Sequence, residues 1–129
     1  MKDYKTLLEK NYKELNKSQN LIFKCLRNCC KYFTDLFNQI KDYKELKAEF
    51  NIKGNRLNTV VKIINKNNKN CLPIYIIFRF DMIFISYKYN AIKSNDCINI
   101  IALYRFITNP IQCVKDIKKI ISEEYIIRD

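Results

Sequence analysis

The chain has 129 residues and a formal charge of +11, with 24 basic and 13 acidic side chains, one glycine, two prolines, six cysteines, no histidine and no tryptophan. That length suits one compact domain with an appendage, not two full domains. Without histidine or a glycine-rich phosphate loop, and with its few acids scattered, the chain cannot assemble the usual catalytic constellations. Its function is therefore expected to lie in what it binds, and no cofactor is expected.

Lysine, asparagine and isoleucine dominate the composition, the bias of an AT-rich genome. The charge is spread evenly, with thirteen basic against seven acidic residues up to position 56 and eleven against six beyond it. A nucleic-acid surface concentrates its charge in a patch, so the even spread predicts only weak, nonspecific binding to nucleic acid. The cysteines are Cys25, Cys29, Cys30, Cys71, Cys97 and Cys113. No C-x-x-C pair and no histidine complete a tetrahedral metal site, so they are expected to be buried thiols.

From Tyr4 to Phe50, apolar or small side chains recur at alternating steps of four and three, the heptad of a coiled coil. With Tyr4 at d, the a positions are Leu8, Leu15, Ile22, Cys29, Leu36, Tyr43 and Phe50. The d positions include Cys25, Tyr32 and Leu46, interrupted by Asn11, Ser18 and Gln39. Lys10, Lys17, Lys24 and Lys31 occupy c, the solvated back. The pattern predicts a helix from about Asp3 to Gly54, the glycine serving as its left-handed cap. The expected partner-binding seam is Leu8, Leu15, Ile22, Cys25, Cys29, Tyr32, Leu36, Tyr43, Leu46 and Phe50. Between Ile22 and Ile40 the apolar face widens through Phe23, Leu26, Phe33 and Phe37, which implies more than one neighbour.

Leu57 to Ile64 reads as a strand, followed by a polar turn at Asn65 to Asn70. Ile74 to Phe80 and Met82 to Tyr89 read as two more strands, with a tight hairpin or bulge at Phe80 and Asp81. Ser94 or Asn95 is placed to cap a helix from Asp96 to Ile107, and Pro110 opens a second with Ile111, Val114, Ile117, Ile121 and Tyr125 on one face. The expected fold is α+β. A long N-terminal coiled-coil helix (1–53) precedes a small head (54–129), in which an antiparallel sheet of about three strands meets two C-terminal helices. Met1 to Lys17 is charged throughout and has no apolar core, so an intracellular protein is expected. Arg79 and Asp81 at the centre of the most apolar stretch, Leu72 to Tyr89, argue against a membrane span.

This arrangement resembles the globular subunits of the outer-kinetochore Ndc complex, which carry RWD-type heads, and within them the Spc-twenty-five family. The likeness is carried by Leu57 to Ile64, Pro73 to Phe80, Tyr87 or Tyr89, Leu103 to Asn109, and Val114 to Tyr125. It implies an RWD-like head in a non-enzymatic structural subunit of the nuclear kinetochore. It further implies a heterodimer with the sister subunit Spc-twenty-four within a four-subunit complex, linking the microtubule-binding half to inner-kinetochore receptors in chromosome segregation. Two other readings stay open. One is an unrelated coiled-coil adaptor; the other is a small basic RNA- or DNA-binding protein, in which Tyr75, Tyr87 and Tyr89 would stack bases.

Overall fold

The structure is a computed structural model that describes residues 4–13, 19–51 and 58–128. In chain order, α1 (Tyr4–Lys13) and α2 (Gln19–Gln39) precede β1 (Leu46–Glu49), β2 (Val60–Asn65), β3 (Ile74–Phe78) and β4 (Met82–Ser86). A single 3₁₀ turn (Ser94–Asp96) then leads into β5 (Asn99–Ala102), α3 (Leu103–Thr108) and α4 (Pro110–Arg128). The strands form one antiparallel meander in the order β1-β2-β3-β4-β5.

The fold is α+β, but the long coiled-coil rod and the three-stranded head are not found. α1 lies against α2 and α3, and Leu8 is buried in the same core as the sheet. α2 stops at Gln39. Its apolar residues Cys25, Leu26, Cys29, Cys30, Phe33, Leu36 and Phe37 are buried against the sheet and α4. A helix whose apolar stripe is already covered by its own chain has no seam left to zip with a partner. Past Tyr43, which turns the chain at φ 54, the heptad is a coincidence of spacing. Leu46 and Ala48 are buried and Lys47 and Glu49 exposed, the two-residue alternation of a half-buried strand. Gly54 lies outside the described residues.

β5 is the other unforeseen strand, lying inside the stretch expected to be helical from Asp96 to Ile107. Its Ile101 pairs with Ile83 and enters the core, and the helix begins only at Leu103. The hairpin at Phe80 and Asp81 falls where the sequence places it: Arg79 N–H donates to Met82 O at 2.8 Å and Met82 N–H to Arg79 O at 3.3 Å. Asp81 takes φ 74, a conformation that aspartate tolerates better than bulkier residues. The polar turn is built by asparagine side chains, with Asn65 Oδ1 accepting from the Asn67 and Asn68 amides and Asn68 Oδ1 from the Asn70 amide.

All helices contribute to one core on one sheet face, against Val61, Ile63, Ile74, Ile76, Phe78, Ile83, Ile85 and Ile101. At its centre Phe33 of α2 meets Phe78 of β3 at 5.6 Å and Phe106 of α3 at 6.1 Å, and Phe78 meets Phe106 edge-on at 5.5 Å. α4 is fastened at two points. Tyr125 Oη donates to Leu72 O at 2.9 Å. Lys118, only 1% exposed, donates from Nζ to Phe37 O at 2.8 Å and Ile40 O at 2.9 Å, with its ammonium 4.5 Å from the Phe37 ring centre. A lysine of α4 thereby satisfies carbonyls left over at the end of α2.

Phe33→Ala is expected to cost about 3 to 5 kcal/mol, a large part of the roughly 5 to 15 kcal/mol that holds a domain of this kind together. Lys118→Met keeps most of the volume but strips both carbonyls of their donor, and a loss of about 1 to 3 kcal/mol is expected. Urea unfolding followed by circular dichroism measures both.

Candidate functional site

The expected seam residues are spent inside the fold. Leu8, Cys25, Cys29, Leu36 and Leu46 are buried in the main core, and Ile22, Tyr32 and Phe50 are half-buried against it. Tyr43 is exposed on the turn before β1, and Leu15 lies outside the described residues. These side chains hold the molecule together and do not form one stripe.

The open surface lies on the other face of the sheet. Pairing aligns Glu49, Lys62, Tyr75 and Ser86 in one row across β1 to β4, and Val60, Ile77, Phe84 and Ile100 in the next across β2 to β5. The segment after β4 folds over part of this face and buries Ala91 against Ile77 and Phe84. Arg79 holds it there: its guanidinium donates to Ala91 O at 2.7 Å and sits 5.6 Å from the Phe84 ring centre. Further along, the Ser86 hydroxyl donates to Asp96 O, and Lys88 Nζ lies 3.3 Å from Asp96 Oδ1. The hydrogen bond from that lysine holds the half-buried Asp96 carboxyl below its ordinary value of 3.8.

The segment leaves the β1 to β3 side open. A groove of about 500 Å³ runs there, lined by Glu49, Phe50, Val60, Lys62, Tyr75 and Tyr89. The Tyr75 and Tyr89 rings meet edge-on at 6.1 Å. A second hollow of about 470 Å³ shares Val60 and Tyr89 and reaches Phe23, Ile77, Arg79 and Phe80. Tyr89 is 66% exposed and Phe80 47%. Rings of this size left in water are the usual anchors of protein interfaces.

Of the tyrosines considered for stacking, Tyr75 and Tyr89 come together in the groove, whereas Tyr87 donates to Glu124 Oε1 at 3.1 Å and packs against the main core. Phe80 as a surface residue was not legible. It reads as the end of a strand, and only its position in the two-residue hairpin loop turns it outward.

The cysteines are free thiols, with Cys25, Cys29, Cys30 and Cys113 buried and Cys71 and Cys97 half-buried. Among the described residues no group of side chains is arranged to hold a metal ion, and no helix is long and apolar enough to cross a membrane. Burial pushes the Cys29 and Cys30 thiols well above 9.0 and Cys113 from 9.0 up to about 11. A thiolate has little stabilising company in these positions.

No protein-family model, no curated protein and no solved structure matches the chain.

The Cys113 thiol ties stability to pH with a definite sign. Between 9.0, where it ionises in the unfolded chain, and about 11, where it ionises in the fold, unfolding releases a proton. Stability conferred by the neutral buried thiol is therefore complete below pH 9 and is lost as pH climbs towards 11, by roughly 2 to 3 kcal/mol in total. Burial also lowers the pKa of Lys118, which works in the opposite direction, so the thiol is isolated by difference. Urea titrations between pH 8 and about 11 are expected to show a shallower alkaline decline for Cys113→Ala than for the unaltered chain.

Proposed function

We propose that the chain is a non-enzymatic protein-interaction subunit that receives a partner protein on the open face of its sheet. The observation that carries this is the groove between β1, β2, β3 and Tyr89, where the exposed Tyr89 ring meets the half-buried Tyr75 beside Lys62 and Glu49. Rings that a partner covers, surrounded by charged groups, make the hot spot and rim of a specific interface. The opposite face is filled by helices and leaves a partner little to bind.

The narrower form of this proposal is a structural subunit of the outer kinetochore, paired with a sister subunit. Its support is the order of elements: helices, an antiparallel meander, then two closing helices, with Val60 to Asn65 and Ile74 to Phe78 as paired strands and Val114, Ile117, Ile121 and Tyr125 on the buried face of the last helix. With the coiled-coil rod gone, pairing would run through the head and not along a zipper.

Tagged chain recovered from its own cells after crosslinking tests both forms. A discrete protein partner is expected, and Tyr89→Ala combined with Phe80→Ala should reduce its recovery about tenfold or more. The unfolding midpoint should shift by no more than an ordinary surface change. Recovery of the chain without any protein partner would sink the interaction reading. Recovery of a partner lacking every outer-kinetochore component would sink only the narrower one.

A further inference from the structure

The even spread of charge along the sequence does not survive folding. Lys41, Lys44 and Lys47 leave the end of α2 and enter β1, Lys66 follows β2, and Lys118 comes from α4; all five line one cavity of about 410 Å³. Among the described residues no aspartate or glutamate lines it. The acids that act on Lys118 are Glu45 and Asp42, and Glu49 reaches Lys47 only at 3.9 Å on the exposed surface. Positive charge outnumbers negative around this hollow, and like charges held close repel one another unless an anion joins them.

We propose that this cavity binds a small, multiply phosphorylated anion, gripped by Lys41, Lys44, Lys47 and Lys66 with Lys118 at the wall. Three features support the assignment. The volume lies within the range of small-molecule sites, about 300 to 1,000 Å³. A helix C-terminus ordinarily repels anions, but here the Phe37 and Ile40 carbonyls are occupied by the Lys118 ammonium, so the negative pole of α2 is quenched where it meets the cavity. All the cations are lysines, and the four exposed ones, Lys41, Lys44, Lys47 and Lys66, carry compact charges on flexible stems that can turn to several phosphate groups at once. The site is separate from the groove on the sheet's open face, and its failure would leave the interaction reading intact.

The test is calorimetric titration of the full chain at about 0.15 M salt, where long-range attraction is screened, with tripolyphosphate as the probe. Saturable one-to-one binding is expected. Lys44→Gln with Lys66→Gln, both exposed and outside the core, should weaken it about tenfold. Lys24→Gln with Lys93→Gln, which removes the same charge elsewhere, should leave it nearly unchanged. Vesicles of phosphatidylcholine, with and without phosphatidylinositol bisphosphate, identify the source of the phosphates. Binding to the bisphosphate vesicles through Lys44 and Lys66 assigns a lipid headgroup, and binding to tripolyphosphate alone assigns a free anion; both uphold the site. Non-saturable binding to both probes, or equal losses in the two double variants, would overturn it. So would a single-stranded oligonucleotide that binds more tightly than either probe through the same lysines.

Discussion

The ring cluster around Phe33 is the constraint on which the rest of the structure depends. Phe33 lies where α2 crosses β3 and α3, and its contacts with Phe37, Phe78 and Phe106 bring together three elements far apart in the chain. All four rings are fully buried. Aromatic groups of this size supply the largest single contributions to a core, and the edge-on contacts of Phe78 with Phe33 and Phe106 add to simple burial. Once α2 is fixed against the sheet in this way, its stripe faces inward, and the covering positions for α1, α3 and α4 follow from what remains exposed beside it. With so little glycine and proline to set the turns, the fold relies on packing for its register.

The same cluster explains what could and could not be seen in the sequence. The widening of the apolar face between Ile22 and Ile40 was legible, and so was its meaning, that this helix touches more than one neighbour. What was not legible was that the neighbours belong to the same chain. Heptad spacing reports a helix with a buried stripe; it does not say whether a second helix or a sheet covers that stripe. The break after Gln39 carries no glycine or proline, because Tyr43 itself takes the left-handed conformation, and Leu46 and Phe50 continued the four-and-three count by accident. β5 was hidden differently. Ile98, Ile100 and Ile101 fit a helix or a strand equally well over so short a run, and only pairing with β4 decides between them. The final helix, the hairpin at Asp81 and the asparagine turn were legible because each has a local chemical cause, in Pro110, in a tight loop and in short amide side chains.

Two polar devices finish what the rings begin. Asn38, the penultimate residue of α2, donates from Nδ2 to Ala48 O at 2.9 Å and accepts from the Ala48 amide at 2.8 Å. Its side-chain amide thus takes the place of a neighbouring strand along the outer edge of β1, blocking the row of bare backbone groups that invites aggregation. Lys118 does the corresponding work for the helix end. Burying an ammonium is costly, and burial indeed depresses its pKa. The cost is offset because the two carbonyls it serves would otherwise be stranded, and because its charge lies against the Phe37 ring. Both devices act within a few residues of the α2 to β1 turn, the link that converts a would-be rod into a folded layer.

That turn also separates two chemically different surfaces. On the open face of the sheet, Arg79 secures the segment after β4 over Phe84, so Ile77 and Ala91 are buried while Tyr75 is half-covered and Tyr89 remains in solvent. The aromatic groove is thus a boundary left by incomplete coverage. Around the end of α2, by contrast, Lys41, Lys44, Lys47 and Lys66 are exposed about one hollow, and the core reaches the surface there through the stem of Lys118. A groove in which aromatic rings are flanked by polar and charged side chains favours a protein surface, which can dehydrate the rings; a lysine-lined hollow favours a compact anion, which can approach several ammonium groups together. Because the two lie apart and draw on different physics, one can change without the other, and a chain with few turn-specifying residues carries two chemically distinct surfaces, one on the open face of the sheet and one at the end of α2.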